Sequence, residues 1–164
     1  MASWGSCDYE QLRALQGRLE QLQRADLDRF CQQVSRALAA RLLALVIPRT
    51  PVGTYPRGSG KKGGTLRRGW TARTEAEAAG PGQAGARAYA NALPVTKQGE
   101  VYRVEIINPV HYASYVEFGH RTRGGQGWVS GQYFLTISEE ELRRLAPRLI
   151  ERKLQQCLME VFRG

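Results

Sequence analysis

The chain has 164 residues, 42% of them hydrophobic, and carries 24 Lys and Arg against 15 Asp and Glu for a formal charge of +9. That is one domain's worth of protein with core enough to fold without disulfides or a metal. Its longest apolar run, Ala37 to Ile47, is broken by Arg41, so no membrane span is expected. Met1 to Glu10 lacks the basic start and apolar core of a secretory signal, which points to the cytoplasm. Cys7, Cys31 and Cys157 are odd in number and form no C-x-x-C pair, and Cys31 and Cys157 fall on apolar helix faces as small hydrophobes, so a core role is expected over a redox or metal site.

Along the chain, Asp8 and Gln11 form a capping-box pattern, and Leu12, Leu15, Leu19 and Leu22 recur at helical steps behind it. A second run, Leu27, Phe30, Cys31, Val34, Leu38, Leu42, Leu45 and Val46, continues the pattern to Pro48, where a helix should end. Gly17 and the polar Gln23–Asp26 stretch either divide these into two helices or bend one. An extended segment follows from Pro48 to Gly64 with three prolines and five glycines. Too few of its residues are apolar to fold it alone, so it is either disordered in the monomer or ordered by contact with another chain.

Leu66, Arg68, Trp70 and Ala72 alternate with polar partners, as do the residues of 86–93, and both stretches read as strands. Lys97 to Glu100 is a turn, and Val101–Ile107 is the clearest strand, with Tyr102, Val104 and Ile106 on one face and Arg103 and Glu105 on the other. From Pro109 the period becomes helical through Tyr112, Tyr115, Val116 and Phe118, and Gly119 stops it. A glycine-rich loop, Arg121 to Gly131, leads to a final helical region. There Ser138 to Glu141 gives a capping box, Leu142, Leu145, Leu149, Leu154, Leu158 and Val161 form a stripe, and Pro147 should kink or split the helix.

These elements make a single α+β domain over 1–164: an N-terminal helical region at 8–47, a basic arm at 48–64, a sheet and short helix at 65–119, the glycine-rich loop at 120–131 and a helical region at 132–162. The sheet is expected to be antiparallel, with three or four strands.

Charge is unevenly placed. Between Arg49 and Arg73 stand seven cations (Arg49, Arg57, Lys61, Lys62, Arg67, Arg68 and Arg73) and no acid. Such a segment attracts any polyanion through counterion release, or pairs with acids on a neighbouring chain.

No catalytic constellation stands out. His111 and His120 have no ligand spacing around them, and no G-x-S-x-G elbow exists. Gly58 to Thr65 has a glycine-and-lysine composition like that of a phosphate loop but lacks its spacing and its preceding strand. Glu117, beside Phe118, is a lone carboxylate and is expected to pair with an arginine instead of serving as an acid or base. Trp70, Tyr112 and Tyr115 fit a core better than a base-stacking platform. No enzyme, cofactor or metal site is therefore expected.

The order of short motifs carries a resemblance. Thr50-Pro-Val-Gly, Gly64-Thr-Leu-Arg-Arg-Gly-Trp70, Val104-Glu-Ile-Ile-Asn-Pro109, Tyr112-Ala-Ser-Tyr-Val-Glu-Phe-Gly119, Arg121-Thr-Arg-Gly-Gly and Gly131-Gln-Tyr-Phe-Leu together resemble the tail-component family of tailed phages. That family comprises neck, tail-completion and head–tail joining proteins, and the resemblance runs over roughly residues 30 to 162. Gly53 stands where many members have an acid, and the basic insert to Gly64 resembles the form in contractile-tailed phages, prophages and phage-tail-like bacteriocins.

The resemblance implies a structural subunit of the virion, assembled in the host cytoplasm, that closes a ring between connector and tail; a hexamer is the natural count. It implies connector or adaptor, tail-terminator and tail-tube proteins as partners, and no membrane. Trp70, Tyr112, Tyr115, Glu117, Phe118 and Gly119 are then structural, and the arm with Arg49, Arg57, Lys61, Lys62, Arg67 and Arg68 faces a neighbouring subunit or passing genomic DNA. The competing reading is a small basic DNA-binding protein acting outside a particle.

Overall fold

The computed structural model describes residues 10, 13, 14, 16, 17, 20, 27–60, 62–81 and 85–163, without the side chains of 161–163. The Asp8 cap, the Leu12–Leu22 stripe, the Gln23–Asp26 break and Cys7 lie outside the described residues.

Helix α1 (Leu27–Arg49) buries Val34, Ala39, Leu43, Leu45 and Val46. Pro48 sits inside its last turn, where an end was expected, and Thr50 N–H still bonds Val46 O at 2.9 Å. Proline removes only its own donor, so the amides beyond it can close the ladder. By length and composition α1 could cross a membrane; here its apolar positions pack against other helices of the fold.

Three short helices follow: α2 (Thr65–Gly69), α3 (Glu75–Ala79) and α4 (Ala86–Ala92). Two of them replace expected strands. In α2, Leu66, Gly69 and Trp70 are buried together, a spacing of three and four residues that alternation over so short a stretch mimics. In α4, Ala90 is buried, while Ala86, Tyr89 and Leu93 are half-buried on the same helical face. Alanine's helix propensity settles that segment.

Among the described residues the strands are four, as two separate antiparallel ribbons and not one sheet. β1 (Thr96–Gln98) pairs with β2 (Val101–Arg103), with Lys97 opposite Tyr102, across a turn in which Gly99 has φ 61°. The chain then runs extended from Val104 to Pro109. Val104 and Ile106 are half-buried while Glu105 and Ile107 are exposed, which is the expected alternation. Among the described residues no backbone–backbone hydrogen bond involves this stretch.

Helix α5 (Ala113–Phe118) leads into a second ribbon, β3 (Gly119–Arg121) with β4 (Trp128–Ser130), so the glycine-rich loop is the tip of a hairpin. Helix α6 (Phe134–Arg163) has 30 residues and runs continuously through Pro147, spanning about 45 Å at the usual rise. It begins four residues before Ser138. That serine lies inside the helix, buried, donating to Phe134 O at 2.6 Å, and does not cap it.

The core joins α1, the short helices and the start of α6: Leu43, Val46, Leu66, Trp70, Ala72, Ala78, Ala90, Val110 and Phe134. Trp70 is its centre. The Phe134 ring meets it edge-on with centroids 6.1 Å apart, and its indole Nε1–H donates to Thr50 Oγ1 at 2.7 Å. Thr50 is itself fully buried and donates to Val46 O at 2.8 Å, so the polar tip of the tryptophan is satisfied inside the core.

Candidate assembly surface

Glu117 is 3% exposed, yet no arginine among the described residues pairs with it. Its carboxylate instead accepts from Leu135 N at 2.9 Å, Thr136 N at 2.9 Å and Thr136 Oγ1 at 2.7 Å. These are donors of the first turn of α6, which have no carbonyl behind them to bond. A negative charge placed there also complements the helix dipole. The expected ion pair is therefore a helix cap delivered from another element.

The main chain makes the same junction. Gln132 N–H bonds Val116 O at 2.9 Å, and Tyr133 N–H bonds Glu117 O at 3.1 Å. Tyr133 adopts φ 50°, which a bulky residue reaches only where its surroundings dictate it. Gly119 has φ 86°, and a Cβ there would lie 2.4 Å from Val129 O; a Cβ on Gly131 would lie 2.2 Å from Glu117 O. The Tyr112–Gly119 block thus welds α5, the β3–β4 hairpin and α6 into one corner.

What that corner presents is apolar. Tyr115 and Phe118 are each 57% exposed and Trp128 is 61% exposed. Val129, Tyr133 and Ile137 nearby in the chain are exposed as well. Tyr115 tilts against His120 with ring centroids 5.9 Å apart. Trp70 belongs to the core as expected and Tyr112 is half-buried, its phenol raised above the usual range mainly by burial. Tyr115 does not: it faces solvent. Ile107 and Phe118 also edge a shallow apolar depression of about 300 Å³ whose other walls include Trp70, Phe134 and Leu135. Large aromatics exposed together on a rigid support mark a contact surface more often than chance.

The basic segment separates into two groups. Arg67 donates to Thr50 O through Nε at 3.0 Å and Nη2 at 2.7 Å, and to Pro48 O at 3.3 Å, which caps the C-terminus of α1. Arg68 Nε bonds Ala78 O at 2.8 Å, doing the same for α3, and its Nη1 bonds Gly63 O at 3.2 Å. Arg49 pairs with Glu141 and reaches Ser138 Oγ at 3.4 Å. These three cations hold the arm to the body. Arg57 and Lys62 are exposed on the arm, and Lys61 lies outside the described residues.

Several residues that matter here carried no assigned role in the sequence. Thr50, Asn108 and Gly131 stand within the recognised motifs. Asn108 Nδ2 donates to Leu66 O at 2.9 Å, and its Oδ1 accepts from Val110 N at 3.2 Å, tying the extended stretch to α2. Thr74 caps α3, accepting from Glu77 N at 3.2 Å, in a Thr-Glu-Ala-Glu pattern that the sequence displays openly.

No cluster of three or more His, Cys, Asp or Glu with metal-binding geometry occurs among the described residues. A model of the family described as a bacteriophage HK97-gp10-like tail component matches residues 13–119. The match closes on Gly119, the last residue of the corner motif. No curated protein and no solved structure matches the chain.

Proposed function

The chain belongs to the bacteriophage HK97-gp10-like tail-component family, and on that premise we propose that it is a structural subunit of the phage neck, a head–tail joining or tail-completion protein that self-assembles into a ring. The observation that carries this reading is the exposed aromatic set Tyr115, Phe118 and Trp128, held on a corner that Glu117, Gly119 and Gly131 make rigid. A catalytic role has no constellation to support it. A rigid apolar surface is what a permanent subunit contact uses.

A ring needs two different surfaces, since each subunit meets its neighbours head to tail. The backbone of Val104–Ile107, unpaired among the described residues, and the exposed arm at 52–60 supply features a partner surface can take up, by strand addition and by ordering the arm. Six copies match the symmetry expected of a tail tube, with the connector above and tail-terminator or tail-tube proteins below. Arg57 and Lys62, exposed on the arm, would meet a neighbour's acids or the phosphates of passing DNA.

Light scattering after size exclusion, across a concentration series and with connector and tail proteins added, tests the proposal. A ring-sized mass, alone or on mixing, is the expected result. A chain that stays monomeric under every one of these conditions overturns it.

A further inference from the structure

Away from the corner, α1, α4 and α6 meet along a groove of about 350 Å³ into which Arg36, Arg87 and Lys153 project, one from each helix. Gln33 and Asn91 add amide groups to its wall, Ala37 lies in its lining, and no acid is among the described residues that line it; Glu160 borders the adjoining depression that shares Gln33 and Lys153. Among the described residues none of these three cations makes an ion pair. Arg36 is half-buried, and its Nε–H is fully shielded from solvent with no hydrogen-bond partner.

Those are two separate anomalies at one place. Three like charges converging on a groove repel one another, and the arrangement is favourable only when an anion sits among them. A buried donor without an acceptor costs free energy that an acceptor would recover. An oxyanion answers the first, since its charge neutralises the cluster and its oxygens accept from the guanidinium and ammonium N–H groups that line the groove; the shielded Nε–H would be satisfied only if Arg36 swung outward to meet it. Two guanidiniums favour phosphate in particular, whose tetrahedral oxygens take paired N–H donors in the planar fork of arginine. All three cations sit on helices packed into the body, so the site is preformed and does not rely on the arm.

From this convergence we infer that the Arg36–Arg87–Lys153 groove is a phosphate-binding site. The phosphate belongs to one of two sources with the same chemistry, free phosphate or the backbone of DNA. The site does not depend on the ring assignment, because it is built within one subunit.

The test compares the full chain with the double variant Arg87→Ser and Lys153→Ser, whose altered side chains lie on the rim and leave the core untouched. Thermal unfolding is followed with added inorganic phosphate and with chloride at the same ionic strength. Phosphate should raise the melting temperature of the parent chain beyond the chloride control, and the double variant should lose that increment. A second arm measures binding to a short DNA duplex over a salt series. If the backbone is the source, the double variant binds more weakly with a log–log salt slope shallower by about 1.8, two contacts at about 0.9 each. A phosphate increment lost in the variant with DNA binding unchanged assigns the site to free phosphate. Equal responses to phosphate and chloride, or a variant that responds like its parent, overturn the inference.

Discussion

At the scale of single residues, two buried polar groups do most to define this fold. Glu117 takes three hydrogen bonds from the first turn of α6, two of them from backbone amides that have no other partner. Bonds to a charged acceptor are worth about 1.5–3 kcal/mol each before compensation, and losing a cap costs about 1 kcal/mol. Glu117→Ala should therefore lower stability by about 2–4 kcal/mol. Chemical denaturation reads this as a lower midpoint at unchanged slope; a midpoint equal to the parent's would show that the cap contributes nothing. Thr50 is the second. Thr50→Val keeps the shape but strands the Trp70 indole N–H in the core, at a cost of about 1–3 kcal/mol. The companion change Trp70→Phe should recover part of that loss in a double-mutant cycle, because it removes the stranded donor.

At the scale of elements, the sequence was informative where periodicity ran long and misleading where it ran short. Helices α1 and α6 each extend over many turns, so their apolar stripes identify them, and the β1–β2 turn is marked by its glycine. Five residues from Leu66 to Trp70 fit period two and period three-to-four equally well, and the deciding fact, which face meets α1, is tertiary. The exposed corner was harder still. Tyr115 and Phe118 have helical spacing that predicts burial, and only the packing shows that α5 turns Glu117 inward and leaves the aromatics in solvent. Arg67 and Arg68 likewise look like part of a solvated basic run, while the fold uses both as helix C-caps. Substituting them to test polyanion binding would confound binding with folding; Arg57 and Lys62 do not have that defect.

One element is fastened in part by charge. Lys97 and Tyr102 of the β1–β2 ribbon both bond the Asp28 carboxylate at the start of α1. The hydrogen bond from Lys97, then that from Tyr102, holds Asp28 below the usual carboxylate range. Both partners are raised above their own ordinary values, each chiefly by its bond to Asp28. A lowered carboxyl means that the unfolded chain binds its proton first as pH falls, so the stabilisation is present above about pH 4 and lost below it. The raised Tyr102 and Lys97 act in the opposite sense, and their contribution is present below about pH 10 and lost above. Comparing Asp28→Asn with the parent chain should show a difference in urea midpoint that is flat across neutral pH, fades at both ends, and shrinks as salt is added. A difference that does not diminish as pH falls below about 4 would mean that Asp28 acts through something other than its charge.

For the whole molecule, the decisive issue is that a corner tied down by close backbone packing and by the Glu117 cap also exposes large aromatics. A monomer gains nothing from displaying Tyr115, Phe118 and Trp128 on a corner whose glycines admit no side chain, and such a patch invites aggregation if it is left uncovered. Covered by a neighbour, the same three rings become anchors, because aromatic side chains bury much area while losing little conformational freedom. The triple change Tyr115→Ser, Phe118→Ser and Trp128→Ser separates these cases. All three side chains are mostly in solvent, so the denaturation midpoint of the monomer should move by no more than about 1 kcal/mol equivalent. Truncating interface anchors typically costs about 2 kcal/mol or more apiece, so association should weaken by well over a hundredfold. The variant would then elute as a folded monomer at concentrations where the parent forms its assembly. If it instead assembles normally, the subunit contact lies elsewhere, and the open edge at Val104–Ile107 together with the arm becomes the surface to alter next. If it unfolds, the corner is part of the core in function as well as in place, and its exposure in the single chain would have to be read as the imprint of a neighbour that is required for folding.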